Sequence, residues 1–523
     1  MNPQSQIGNI KHHKVNCGSS SVGRALAFQA EGRGFESRLP LSKEVTTQVT
    51  SFFYLKNYDH VEDHRLHKPA IRDLTHGGIF RQLTSLALPL MAISFIQMTY
   101  NLVDIIWIGR LGSKSVAAIG SVGMLMWMMN SVALISKVSA EISIGQSIGA
   151  RRLDKASFYA SHTTTIAIIL GLFFGLLFFL FPHPYVSFYK LEDSIAIEAA
   201  GYLRMIALGL PIMFLILNFS GIYIGSGRSD IPFYFNATGL AINIALDPLF
   251  IFGAGAFPAM GVQGAALATV LSQGVVLLLF IVHLKKRNAP LGKFQFLIRL
   301  RRTYTLNILK LGLPVVAMNI YFAFINMNLA RFASVYGGHL GITSQTTGGQ
   351  IEGITWNTSN GFSTALGSFV AQNFAARKIG RANNAFRYTL LMMGTLGILV
   401  TLAFVNYGEA IFSLFVPEKA AYEAGGAYLM VLGFSQLFMM LELTTQGMFN
   451  GLGRTTPPAV ISIIFNTMRI PLAILLGSRM GVTGVWWAIS ITSLFKGSIL
   501  FIWYMLLQRR LSKRDREELF HPA

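Results

Sequence analysis

Twelve apolar runs, each about 20 residues or longer, decide what this chain can fold into. They cover roughly 84–108, 116–146, 158–181, 203–224, 231–253, 262–283, 309–333, 350–374, 386–406, 426–450, 457–477 and 482–506. A helix needs about 20 apolar residues to cross some 30 Å of hydrocarbon, more than a soluble core helix requires. Inside lipid the backbone satisfies its hydrogen bonds only within helices or a closed barrel, so a series of such runs predicts an all-α polytopic membrane protein. The charged fraction agrees, at 13% against the roughly 25% of a soluble protein.

A net charge of +20 would suggest nucleic acid in a soluble chain. Here the cations sit between the runs and favour one side. That side holds Arg151, Arg152, Lys155, Arg228, the stretch from Lys285 to Arg302, Lys310, Arg377, Lys378, Arg381, Arg387, Arg454 and Arg509 to Arg516. The other holds only Arg110, Lys114, Lys190, Arg204, Lys419 and Arg479. This is the positive-inside pattern: it predicts both termini and the central basic linker in the cytoplasm, and no nucleic-acid partner. The single cysteine, Cys17, excludes an intramolecular disulfide and a cysteine-built metal site.

The two halves repeat. Leu86-Ala-Leu-Pro89 recurs as Leu311-Gly-Leu-Pro314, Gln146-Ser-Ile-Gly-Ala-Arg151 as Gln372-Asn-Phe-Ala-Ala-Arg377, and Gly225-Ser-Gly-Arg228 as Gly451-Leu-Gly-Arg454. Asn243 and Pro248 return as Asn466 and Pro471, and Gly261-Val-Gln-Gly264 as Gly481-Val-Thr-Gly484, always 220 to 226 residues on. Each half has an even number of runs, so both have the same orientation, a parallel repeat about an axis along the membrane normal. The expected product is two six-helix lobes, 81–283 and 309–508, joined by a cytoplasmic linker over 284–308 and followed by a tail over 509–523. Residues 1–80 are polar, carry six scattered histidines without ligand spacing and contain no signal peptide. They are expected to be a disordered, dispensable tail. The stretch Cys17 to Pro40 reads like the translation of a transfer-RNA gene, so the true start is expected downstream.

Few acids fall within the runs. Asn243 and Asp247 lie four apart on one face of the fifth, beside Pro248, which frees a backbone carbonyl. Asp104 lies late in the first run, three residues after Asn101. An acid in hydrocarbon is costly and is a functional candidate facing a cavity. The repeat equivalents of Asp104 and Asp247 are Leu329 and Ile470, so one half keeps titratable groups that the other lacks. Glu442 is the second half's acid. An ion pair with Arg469 on the next run is its plain structural reading, as is a pair between Glu141 and Lys137. No serine, histidine and acid set and no Walker-type loop stands out, so the chain is not read as an enzyme or an ATP-driven pump.

In order along the chain, Leu86-Ala-Leu-Pro89, Asn101-Leu-Val-Asp104 with Gly109-Arg-Leu-Gly112, Gly149-Ala-Arg151, Gly225-Ser-Gly-Arg228 and Asn243-Ile-Ala-Leu-Asp247-Pro248 resemble the multidrug and toxin extrusion (MATE) transporters. The resemblance, with the second-half copies, spans residues 80–508. It implies twelve helices in two lobes and alternating access. It further implies export of cationic or amphipathic drugs and toxins in exchange for H⁺ or Na⁺, with no cofactor beyond the coupling ion. The expected setting is the lipid bilayer of a plasma membrane, a bacterial inner membrane, with the chain as a monomer. The first-lobe cation site of the family carries over to Asp104, Asn243 and Asp247, and the tenth-helix acid of some members to Glu442. Where NorM-like members place a glutamate in the seventh helix, this chain has apolar and amide residues near Phe322 and Asn326, which moves the expected coupling to the first lobe. A lipid-linked oligosaccharide flippase of the same superfamily is the competing expectation. It needs converging cations, for which Arg331, Arg469, Lys137 and Lys496 are the candidates, and Asp104 with Asp247 would repel its pyrophosphate.

Overall fold

The computed structural model describes residues 71–253, 258–285, 291 and 294–520. Of the tail expected over 1–80, residues 1–70 lie outside the described residues. The apolar runs form helices that end where the backbone turns out of helical geometry. α1 is Ile79–Gly109, α2 Ser113–Gly149, α3 Leu153–Leu180, α4 Asp193–Gly225, α5 Asp230–Phe252 and α6 Val262–Lys285. A six-residue helical turn, Pro182–Ser187, separates α3 from α4. The chain is then helical from Arg302 to Ala375, 74 residues, far longer than a bilayer needs. Gly338, at φ 59 and ψ −147, breaks it into α7 (302–337) and α8 (339–375). α9 is Ile379–Ser413, α10 Lys419–Gly451, α11 Thr456–Met480 and α12 Val482–Phe520. Among the described residues eleven helices are long and apolar enough to cross a membrane, and the break at Gly338 divides one of them, which gives the twelve crossings. No strand occurs among the described residues.

The repeat appears in the turns and in the packing. α2 and α8 both end on an arginine in the left-handed region, Arg151 at φ 57 and Arg377 at φ 58. The next N–H closes the turn in both, Arg152 to the Ser147 carbonyl at 2.9 Å and Lys378 to the Asn373 carbonyl at 2.8 Å. α4 lies against α2 at Gly221 and Gly225, where a Cβ would collide with the backbone of Lys137 and Glu141. One repeat later, α10 lies against α8 at Gly447 and Gly451, against Ser363 and Gly367. Small residues at these points let the helix axes approach closely, which is how helices hold together without a hydrophobic drive.

The lobes join where α2 meets α8, at the end that carries the basic loops. Gly149 abuts the backbone of Gln372. Gln146 Nε2 donates to the Gly451 carbonyl at 3.0 Å, and its repeat partner Gln372 donates Nε2 to the Gly225 carbonyl at 3.1 Å. The two bonds exchange under the repeat, so the seam is self-complementary, as at a two-fold interface. α1 touches both lobes. Leu83, Leu86 and Leu90 pack with Phe362, Leu366 and Phe369 of α8, while Trp107 meets Phe252 of α5 edge-on at 6.1 Å. Pro89 lies within the first contact, beside Leu90, and removes a helical hydrogen bond there.

Residues 71–78, assigned by composition to the tail, belong to the fold. Leu74 is fully buried in the cluster that includes Leu83, Ile224 and Phe369. Its N–H donates to Gln372 Oε1 at 3.0 Å, and its carbonyl accepts from Asn373 Nδ2 at 3.1 Å. The Arg72 N–H donates to the Ser226 carbonyl at 3.0 Å. This strap therefore ties the end of α4 to the end of α8 across the seam. The described part of the basic linker is docked too: Ser157 Oγ donates to the Leu291 carbonyl at 2.8 Å, and the Arg301 N–H donates to His162 Nε2 at 3.2 Å.

Candidate cation site in the first lobe

Helical spacing puts Asn243 and Asp247 one turn apart on α5, and both are fully buried. Asn243 Nδ2 donates to Asp247 Oδ1 at 3.0 Å, which fixes that carboxyl oxygen. α1 brings the third member. The Trp107–Phe252 contact and the cluster of Ile108 with Ile251 and Ala265 clamp the end of α1 to the end of α5. Three residues before Trp107, Asp104 comes near enough to Asp247 for the two carboxyls to act on each other. Tyr100 of α1 and Tyr202 of α4 lie within electrostatic reach of both carboxyls. Asn101 lies on the same helix, and its side chain falls outside the described residues.

Three oxygens of this cluster, Asp104 Oδ1, Asp247 Oδ2 and Asn243 Oδ1, are buried and accept no hydrogen bond from a described residue. A buried acceptor without a donor costs about 1–3 kcal/mol, and more when charged. Two facing carboxylates add mutual repulsion. A proton shared between the carboxyls relieves the repulsion, and a hard cation among the oxygens offsets both costs. The set suits a proton or a monovalent cation and repels an anion. Among the described residues no group of three or more His, Cys, Asp or Glu side chains has the makings of a metal site.

At the repeat-equivalent place in the second lobe the chemistry is absent. Leu329 is fully buried in an apolar cluster with Ala473, Val485 and Ala488, and Ile470 packs on it. Glu442 lies elsewhere in that lobe and is not brought to the aspartates. Its carboxylate pairs with Lys496 of α12 at 3.0 Å and accepts from Ser462 Oγ at 3.1 Å. Lys496, not Arg469, is thus its ion-pair partner. Arg469 instead donates to Thr492 Oγ1 at 3.1 Å and Ser493 Oγ at 2.8 Å. Glu352, well inside α8, accepts from Gln436 Nε2 at 3.0 Å within the same lobe. The four cations that a flippase would need do not converge: Arg331 is exposed, Lys137 is on the other lobe, and Lys496 is neutralised. The three first-lobe residues that the sequence singles out are brought together; Tyr202 was not singled out, and Lys496 was named only as a flippase cation and not as the partner of Glu442, because its helix position carries no periodic sign of that pairing.

A family model, MatE, matches residues 89–249 and again 314–475, one match in each lobe. The first includes Asp104, Asn243 and Asp247, and the second Glu442. A probable multidrug resistance protein NorM of Thermotoga maritima is 26% identical over 442 residues, covering 82% of this chain and 92% of that protein. The multidrug export protein MepA of Staphylococcus aureus is 25% identical over 435 residues, covering 82% and 95%. A solved structure described as the outward-facing conformation of a multidrug resistance MATE family transporter superposes with a TM-score of 0.77 at 24% identity, covering 84% of this chain and 98% of that one.

Proposed function

The chain belongs to the MatE family, and from that membership and the first-lobe cluster we propose that it is a secondary antiporter exporting cationic or amphipathic drugs in exchange for H⁺ or Na⁺. Its relatives are named as multidrug resistance and export proteins, which supports drug efflux as the task. The observation that carries the reading is the contrast between lobes. Asp104 and Asp247 face each other with oxygens lacking donors, while Leu329 and Ile470 pack as hydrocarbon at the equivalent place. Both lobes need the same architecture, so the acids of one lobe serve something other than architecture.

The proposed cycle uses that pair as the shared site. With the pair charged, the cavity attracts a cationic drug. When the coupling ion binds from outside, it cancels the charge, weakens the attraction and releases the drug there. Each positive charge moving inward across 100 mV contributes about 2.3 kcal/mol, in addition to the ion's own gradient. α1 carries Asp104 and touches both lobes, so a change in charge is felt by the helix that joins them. The lobes are in contact at the basic end, which this reading takes as the cytoplasmic side, so the structure corresponds to a state closed toward the cytoplasm. Alternating access then requires the α2–α8 seam and its strap to part.

The test is transport by the full chain in proteoliposomes loaded with a fluorescent organic cation. Efflux driven by an imposed pH gradient alone assigns H⁺, and efflux driven by a Na⁺ gradient alone assigns Na⁺. If neither gradient moves the cation in protein that is folded and correctly inserted, the antiport reading fails.

A further inference from the structure

A cavity of about 820 Å³ opens at the basic end of the seam, where the two lobes meet. Its charged lining comes from both lobes: Arg151, Arg152 and Lys155 from the first, Lys310, Arg377 and Lys378 from the second. Among the described residues no aspartate or glutamate lines it, and the rest of its wall includes neutral hydrogen-bonding side chains such as Ser143, Gln146 and Asn307. Lys378 also donates its Nζ to the Thr75 carbonyl of the strap at 3.0 Å. We propose that this cavity is a binding site for a phosphate-bearing polyanion, and that its occupant holds the lobes together at that end.

Three observations carry the proposal. The first is charge. Six cations line one concavity with no acid on the described part of its wall, so they repel one another. Closing the seam brings the two triads together and works against that repulsion. A polyanion reverses the sign, and guanidinium groups match phosphate oxygens in pairs. The second is backbone. Arg151 and Arg377 adopt φ 57 and 58, a region that costs a non-glycine residue on the order of 1 kcal/mol. At the ends of α2 and α8 the repeat thus sets one arginine turn in the cavity wall from each lobe. The third is size. The volume lies in the ordinary range for ligand pockets, about 300–1,000 Å³, and accommodates a lipid headgroup or a small soluble polyphosphate.

Two sources share this chemistry, anionic phospholipid and free phosphate compounds, and the experiment separates them. The thermal unfolding midpoint of the full chain is measured in neutral detergent with inorganic tripolyphosphate, against sodium chloride at matched ionic strength. It is measured again in nanodiscs of phosphatidylcholine with and without phosphatidylglycerol. The variant Arg152→Gln/Lys155→Gln/Lys310→Gln empties half of the charge, and Lys190→Gln/Arg204→Gln/Arg479→Gln does the same at the opposite end. A saturable rise with tripolyphosphate beyond that of chloride, kept by the opposite-end variant and weakened at least about tenfold in apparent affinity by the cavity variant, supports a site for free phosphate compounds. The same pattern with phosphatidylglycerol alone supports the site and names the lipid as its occupant. Relief of repulsion leaves the anion-free cavity variant no less stable than the parent, so a lost response is not a folding defect. A rise that chloride reproduces, an equal loss in both variants, or no rise with either anion overturns the proposal.

Discussion

Asp247 and Glu442 both attract notice as acids in apolar runs, yet their surroundings predict opposite responses to the same loss of charge. Glu442 is matched: Lys496 stands 3.0 Å away, and both side chains are 8% exposed. Glu442→Gln leaves the ammonium buried without its counter-charge and should cost about 3–5 kcal/mol, while Glu442→Leu combined with Lys496→Met should regain most of it. Asp247 is mismatched, because its nearest charge is another carboxyl. Asp247→Asn removes repulsion and keeps shape, so its unfolding midpoint should not fall, although gradient-driven efflux should be lost. Substitutions of Leu329 or Ile470 by residues of similar size should leave coupling intact. Midpoints and efflux measured on the same preparations check this, and an Asp247→Asn protein that still couples would move the coupling site to Glu442. The first-lobe residues were legible because an acid in hydrocarbon is rare and because four-residue spacing puts Asn243 above Asp247. Lys496 was not legible as the partner of Glu442, because pairing across α10 and α12 is decided by packing, which periodicity within one helix does not encode.

At the scale of elements, the seam between α2 and α8 shows which features a repeat can announce. The Gln146 and Gln372 motifs stand one repeat apart in the sequence, and in the fold their amides exchange equivalent bonds across the lobes. The strap over 71–78 had no such announcement. Its composition is polar, and what holds it is one buried leucine plus backbone groups satisfied by side chains some 300 residues away in sequence, at Gln372 and Asn373. It also breaks the equality of the two glutamines. Gln146→Ala strands one carbonyl, that of Gly451, and should cost about 1 kcal/mol. Gln372→Ala strands the Gly225 carbonyl and also the Leu74 N–H, so its cost should be roughly double. Unfolding midpoints of the two variants in one detergent make the comparison. Equal losses would mean that the strap contributes nothing to the closed seam. The 74-residue helical stretch shows as two runs in the sequence because the Gly-, Ser- and Thr-rich residues 334–349 interrupt the apolar pattern, and Gly338 is where the backbone turns.

For the whole molecule, topology and charge make one connected prediction. Each crossing moves the chain to the other side of the membrane, so twelve crossings return it to the side on which it began. The seam, the strap, the docked linker and the basic cavity all lie at the end that carries most of the cations. The positive-inside bias predicts that this end, and both termini with it, lie in the cytoplasm. Leu297 in the linker is 66% exposed, and Phe188, at the opposite end between α3 and α4, is 82% exposed. With Cys17→Ser as background, Leu297→Cys should react with a membrane-impermeant maleimide only after cells are opened, while Phe188→Cys should react in intact cells. The two positions are separated by three crossings, α4, α5 and α6, so they test the count as well as the orientation. Labelling of both from outside would mean that one of those helices does not span. A reversed pattern would keep the fold but invert it in the membrane, turning the closed seam outward and making the proposed export an import.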